Sequence, residues 1–242
     1  MKIFIDAGHN HSGYDTGAQG HGLREQDVTF HIAKKLGSLL SKHKDLVIKY
    51  SRETLETNIG TSTNSSLITR CQMANTFSAD LFISIHCNAF NSPSAHGTEC
   101  LVYSDGGEAA ALARKIHYQL VGLDLYDRCQ SFPVGIKVRP NLVVLKNTNM
   151  PAVIVETAFI TNTHDAEVLE LQQNEIAEAI YKGVVEHLGI SIEVPKQHWA
   201  QSFFNYLTTN GISISETRFD DPITRGEAFK LLADVLFRAR KE

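Results

Sequence analysis

The chain has little cysteine, no long apolar run and no cluster of like charge, and each shortage removes a class of function. Its four cysteines, Cys71, Cys87, Cys100 and Cys129, show no C-x-x-C spacing, which argues against a thiol redox pair. The first three lie inside apolar segments and read as reduced thiols that pack as small hydrophobes, although an even count leaves disulfides open. No apolar stretch is long enough to span a bilayer, so membrane insertion is not expected. With 23 Lys and Arg against 27 Asp and Glu, the formal net charge is -4, and no basic run supplies a local field. Nucleic acid is therefore not an expected partner. Met1-Lys2-Ile3-Phe4-Ile5-Asp6 carries no secretory pattern of apolar stretch and small-residue cleavage site, so the sequence as it stands predicts a chain made in the cytoplasm without a signal peptide. Internal repeats and low-complexity tracts are missing too.

What is present is the composition of a globular protein, 43% hydrophobic and 21% charged over 242 residues, enough for a sizeable core. Residues 2 to 6 read as a buried strand ending in a loop rich in Gly, His and Asp that extends to Leu23. From Glu25, the spacing of Val28, Ile32, Leu36, Leu39 and Leu40 predicts a helix to about Lys42. A strand over Leu46 to Tyr50, a helix over Leu67 to Thr76 and a strand over Leu81 to His86 follow. Thr98 to Tyr103 predicts a strand, Ala109 to Val121 a helix, Asn141 to Leu145 and Ala152 to Glu156 two more strands. A last helix buries Ile176, Ile180, Val184 and Leu188. This alternation predicts an α/β domain over residues 1 to 189, with a mainly parallel twisted sheet of about six strands and helices on both faces. Residues 190 to 197 read as a linker, and 198 to 242 as a small segment of about two helices.

Three polar residues stand where such a sheet gathers chemistry. His9 ends the first predicted strand, His86 the third and Glu156 a later one, and the carboxyl ends of neighbouring parallel strands face one crevice. Glu25 opens the helix after the glycine-rich loop, so its carboxylate can point back to the same edge. Two imidazoles and a carboxylate form a set of three protein ligands that leaves a zinc ion a fourth position for water, the pattern of a catalytic site. A further carboxylate must move protons. Glu156 closes the apolar run Val153-Ile154-Val155, where an ionised group is costly unless paired or functional.

The segments Ile5-Asp6-Ala7-Gly8-His9, Gly22-Leu23-Arg24-Glu25, Ser84-Ile85-His86-Cys87-Asn88-Ala89 and Pro151-Ala152-Val153-Ile154-Val155-Glu156-Thr157-Ala158-Phe159-Ile160-Thr161-Asn162 stand in the order found in zinc-dependent N-acetylmuramoyl-L-alanine amidases of the amidase type 3 family. The chain resembles that family from residue 2 to about 189. Arg139 to Leu145 and Gly97-Thr98-Glu99 are similar to further stretches of it. The resemblance implies one zinc ion held by His9, Glu25 and His86, Glu156 as the catalytic carboxylate, and peptidoglycan as substrate, cut between N-acetylmuramic acid and L-alanine. A wall hydrolase without a secretory pattern suggests action on the cell wall after release, as a phage endolysin or an autolysin. The loop His9-Asn10-His11-Ser12-Gly13-Tyr14-Asp15 departs from the compact glycine-rich turn of the family, which makes His11 a rival ligand or a supporting group.

Each residue has a plainer reading. Glu25 alone is a favourable charge in the first turn of a helix. Glu156 alone is a carboxylate paired with Arg70 or Arg139. Asn88 is balanced between substrate binding and a turn. Cys87 beside His86 suggests a thiol nucleophile, but adjacent strand residues face opposite sides, so it belongs to the core. His31, His43, His96, His117, His164, His187 and His198 read as mostly exposed bystanders. In function, the alternatives are a zinc peptidase or amidohydrolase acting on the stem peptide, and a non-catalytic wall-binding protein.

The C-terminal segment, with Trp199, Phe203, Leu207, Phe219, Thr224-Arg225-Gly226-Glu227, Phe229, Leu232 and Leu236, is similar to one S-layer homology motif. Thr224 and Glu227 have the spacing of a capping box. Wall binding or pairing of two copies into a homodimer through this segment is the expectation.

Overall fold

In the computed structural model, the described residues are 1–123, 125–128 and 136–191. The chain runs β1 (Lys2–Ala7), β2 (Gln19–Gly20), β3 (Leu23–Arg24), α1 (Glu25–Leu40), β4 (Val47–Tyr50), α2 (Thr63–Phe77), β5 (Leu81–Asn88), β6 (Glu99–Val102), α3 (Gly107–Val121), β7 (Lys137–Val138), α4 (Val143–Lys146), β8 (Ala152–Phe159), α5 (Thr163–Leu171) and α6 (Gln173–His187). Six strands form one sheet in the order β4-β1-β5-β8-β6-β7. Every pairing in it is parallel except β6 with β8. The expected mainly parallel six-stranded α/β architecture is what the chain adopts.

Period-two alternation sorts the strand residues between the two faces. Ile3, Ile5, Ile83, Ile85, Val153 and Val155 turn to one face, where the apolar stripe of α1 (Val28, Ile32, Leu36, Leu40) meets residues of α3 and α6. Phe4, Phe82 and Ile154 turn to the other and pack with Cys71 and Ala74 of α2 and Val144 and Leu145 of α4. Both faces of the strands are thus buried, as their near-continuous apolar runs require.

Local signals set the ends of the elements. Ser62 caps α2 by accepting from the Ser65 N–H, and the Ser65 hydroxyl accepts from the Ser62 N–H in return. This box starts α2 four residues before the apolar pattern does, at Thr63 in place of Leu67. Asn162 accepts from the Asp165 N–H and opens α5, a helix that the sequence did not announce because its apolar residues cover barely two turns.

One predicted strand is not there. Residues 141 to 145 turn at Pro140-Asn141 and enter the single helical turn α4, with the Lys146 N–H on the Leu142 carbonyl at 3.0 Å. A four-residue apolar run has the same burial in either conformation, so periodicity alone cannot separate them. The sixth strand is instead the short β7 beside β6. The predicted linker from 192 onward and segment 198 to 242, with the S-layer-like motif, lie outside the described residues, as do His198 and Cys129.

Candidate active site

The carboxyl ends of β1, β5 and β8 lie at one edge of the sheet, and the antiparallel β6 begins there. Glu156 is paired in register with His86 on one side and Glu99 on the other. His86 is the sixth residue of β5, and Glu156 lies within β8, three residues before its end. His9 lies two residues past β1, in the left-handed region with φ 66°, a conformation that costs a non-glycine residue roughly 1–3 kcal/mol. The buried Arg70 holds it there. Its guanidinium donates to the carbonyls of Ala7 (2.7 Å) and His9 (2.6 Å), to Asn10 Oδ1 (3.1 Å) and to Asp6 Oδ1 (2.6 Å). Burial opposes ionisation of Asp6, but the Arg70 charge and the Ser84 hydroxyl hold its carboxyl below the usual range. Arg52, also buried, donates to the carbonyls of Gln26 (2.7 Å) and Leu55 (2.5 Å), which ties the start of α1 to the loop after β4.

At this edge three side chains converge. His9 Nε2 lies 3.0 Å and His86 Nδ1 3.1 Å from the same oxygen, Glu25 Oε1, with the two rings edge to face at 4.8 Å between centroids. One donor atom from each of His9, Glu25 and His86 lies within 4.8 Å of the others, so the group is able to hold a metal ion. The side chains around them fix their direction. Asp15 Oδ1 sits 2.9 Å from His9 Nδ1 and its other oxygen accepts from Ser66 (2.8 Å), which leaves Nε2 to face the centre. Glu25 accepts from the N–H of Ala18 (2.8 Å) and of Cys87 (2.9 Å). Glu25 is only 3% exposed, which sets aside the plainer reading of a solvated charge at a helix start.

Electrostatics agree with a cation site. Burial works against the charged forms of both His9 and Glu25. Hydrogen bonds to Asp15 and Glu25 nonetheless raise the His9 imidazole to about 9, and His86 and His9 hold the Glu25 carboxyl far below its usual range. Without a metal, a proton on His9 supplies positive charge beside the carboxylate. A buried carboxylate with two imidazoles aimed at one of its oxygens suits a divalent ion of borderline softness. Two glycines make room. A Cβ on Gly8 would fall 2.5 Å from His86 Cε1, and one on Gly17, at φ +73°, 2.7 Å from His9 Cδ2 and 2.8 Å from Glu25 Oε2.

Glu156 differs in kind. It makes no pair with Arg70, which serves Asp6, or with Arg139, whose Nη1 donates to the Val138 carbonyl. Its Oε2 is enclosed with no hydrogen-bond partner among the described residues. Burial pushes its carboxyl up to about 7, the charges of Glu25 and Glu99 add to that, and His86 and His9 oppose it. Such a group exchanges a proton at neutral pH.

The group able to hold a metal does not include His11 or Cys87. His11 lies outside the ligand group, its Nδ1 4.0 Å from Asp27. Cys87 is buried against Thr157, its Sγ 3.6 Å from Oγ1, and burial pushes its thiol well up, so it is core and no nucleophile. Asn88 is engaged within the protein, donating to Glu99 Oε1 (2.9 Å) and accepting from the Ala89 N–H (3.0 Å). His117, expected to be exposed, is 2% exposed and pairs with Asp127 at 2.8 Å. An amphipathic pattern with a histidine on its margin does not reveal a partner ten residues downstream. Asp15, Gly17, Arg52 and Arg70 support the site without having been expected there from the sequence. Gly17 carries a signal as a glycine in a polar loop, and Glu99 as part of the stretch Gly97-Thr98-Glu99 that resembles the family.

Comparison with known proteins supports the fold and shows the family. Residues 3–186 match the family model of N-acetylmuramoyl-L-alanine amidase, amidase type 3. Over 196 residues the chain is 32% identical to the endolysin of Bacillus phage SPP1, covering 78% of this chain and 66% of that one. Over 193 residues it is 36% identical to the N-acetylmuramoyl-L-alanine amidase LytC of Bacillus subtilis, covering 76% of this chain and 35% of the relative. The chain thus spans about one to two thirds of the length of these relatives. The crystal structure of an N-acetylmuramoyl-L-alanine amidase from Clostridium difficile 630 is similar at a TM-score of 0.65 and 33% identity, over 78% of this chain and 96% of that one. The catalytic domain of CwlV from Bacillus (Paenibacillus) polymyxa gives 0.67 and 29%, over 78% and 99%. On the match to residues 3–186, the chain belongs to the amidase type 3 family of N-acetylmuramoyl-L-alanine amidases.

Proposed function

We propose that the chain hydrolyses the amide between N-acetylmuramic acid and L-alanine in peptidoglycan, with one zinc ion held by His9, Glu25 and His86 and with Glu156 as the proton carrier. The observation that supports this most is the convergence of two imidazole nitrogens on one buried carboxylate oxygen, next to an unpartnered carboxyl poised near neutral pH. When bound there, zinc supplies a Lewis acid for the carbonyl oxygen and lowers the pKa of a water to roughly 7. Glu156 takes a proton from the attacking water as its oxygen bonds to the carbonyl carbon. It returns that proton to the alanine nitrogen as the C–N bond breaks, so a carboxylic acid and a free amine leave. Asp15 keeps the His9 ring oriented while Glu156 does this work.

Mass spectrometry of digested peptidoglycan tests the reading. New N-terminal L-alanine is expected, with lysis lost on chelation and restored by zinc. Released D-alanine would point to a stem-peptide peptidase instead, and unchanged walls with zinc bound to a wall-binding protein. For segment 198–242 we propose wall binding or pairing of two copies, on the strength of its S-layer-like motif. Deleting it should weaken sedimentation with whole walls and leave small soluble muropeptides still cleaved. A role as a phage endolysin or an autolysin is supported by the names of the relatives, and with it we propose action on the wall after release.

A further inference from the structure

We propose that Arg128 and Lys137 form the subsite for a carboxylate of the stem peptide, on the leaving-amine side of the scissile bond; this rests on the proposed amidase reaction. The order of the sheet carries the inference. Along the functional edge, the metal-ligand group lies at β1 and β5, Glu156 on β8, then Glu99 at the start of β6 and Lys137 at the start of β7. Glu156 must reach the departing nitrogen, so the acyl part of the substrate lies toward β5 and β1, and the peptide extends past β8 toward β6 and β7. A peptide whose N-terminus is the acylated one ends in a free carboxylate. On the β6 side, two cations meet one anion. Glu99 Oε2 accepts from Arg128 Nε (3.2 Å) and from Lys137 Nζ, while Glu99 Oε1 accepts from Asn88.

This trio keeps one formal positive charge. Glu99 is nearly buried, but Arg128 and Lys137 are 30% and 26% exposed, within reach of a bound chain. Glu156 lies in register beside Glu99, and two further carboxylates have partners of their own. Asp127 faces His117, and Asp165 accepts from the N–H groups of Gly97 and Phe159. Arg128 is further fixed by its stacking on Phe159 at 4.6 Å and by its bond to the His96 carbonyl, which makes it a preset donor. From β8 to β7 is two strand spacings, about 10 Å, the length of roughly three extended residues. The recognised carboxylate is therefore that of the third stem residue.

The test uses the zinc-loaded full chain and two synthetic N-acetylmuramoyl-L-alanyl tripeptides that differ only in a C-terminal carboxylate or carboxamide. The carboxylate form should show a KM roughly fivefold lower at low salt, with similar kcat, and the difference should shrink as salt screens the charges. Lys137→Met should lose most of this preference and Lys137→Arg should keep it. Equal KM values in the wild-type chain, or a preference that survives Lys137→Met, would overturn the subsite and leave the amidase reading intact. Cleavage of neither substrate at the muramoyl-alanine bond would overturn both.

Discussion

The two halves of the functional edge are built on opposite plans. On the β1–β5 side two of the three proposed ligands are held from behind, His9 by Asp15 and by Arg70 at its own carbonyl, and Glu25 by two backbone N–H groups. On the β8 side Glu156 has no hydrogen bond to Oε2 among the described residues and a carboxyl pushed up to about 7. A group that binds a metal gains from being fixed, because rigidity raises affinity. A group that carries a proton gains from being easily protonated and easily ionised. The same burial serves both ends, and hydrogen bonds decide which way each carboxylate goes: Glu25 is held ionised and Glu156 is left close to neutral.

This contrast is broken most sharply by removing one member of each half. Glu156→Gln should lower turnover roughly 10²- to 10⁴-fold and keep its zinc, whereas His86→Ala should lose both. Metal analysis beside muropeptide hydrolysis checks this, and equal zinc loss in the two variants would erase the division of roles. Next in size, Asp15→Ala should weaken zinc binding about 10- to 100-fold in chelator competition and reduce kcat far less once zinc is saturating.

A smaller effect comes from pH. The metal-free His9 imidazole is raised from 6.5 to about 9, so its proton stabilises the metal-free fold fully below about 6.5 and ceases to do so as pH rises through 9. Zinc must displace that proton, and its affinity should climb with pH by up to tenfold per pH unit, levelling off near 9. A flat profile would mean that His9 carries no proton to displace.

The smallest effect lies on the Glu156 side and has the opposite sign. Its carboxyl is raised from 4.5 to about 7, so the native state holds the proton more tightly than the unfolded chain, and stability falls as pH rises between those values. Glu156→Gln should raise the metal-free Tm by a few degrees at pH 8 and leave it nearly unchanged at pH 4. Equal Tm values at pH 8 would show that the carboxyl is not under the strain that its burial implies.

Much of this was legible in the sequence because it depends on order and period. The apolar runs of β1, β5 and β8 and the stripes of α1, α3 and α6 declare a parallel sheet covered on two faces, and His86 and Glu156 stand where such runs end. What was not legible depends on contacts between distant segments. Nothing local distinguishes Arg70 from any other cation on a helix, yet it reaches Asp6 and the carbonyl of His9 across more than sixty positions. The Val143–Lys146 turn is another case, because the choice between strand and helix there is made by the space left beside α2. The first loop offered His9 as a candidate and hid its geometry, since the left-handed turn at His9 and the space kept by Gly17 have no periodic signature.

Anomalous diffraction at the zinc edge, from crystals of the full chain grown with zinc, tests the proposed centre most directly. One peak is expected, about 2.0–2.2 Å from His9 Nε2, His86 Nδ1 and a Glu25 oxygen. A peak bound to other residues, or none at full zinc saturation, would contradict it.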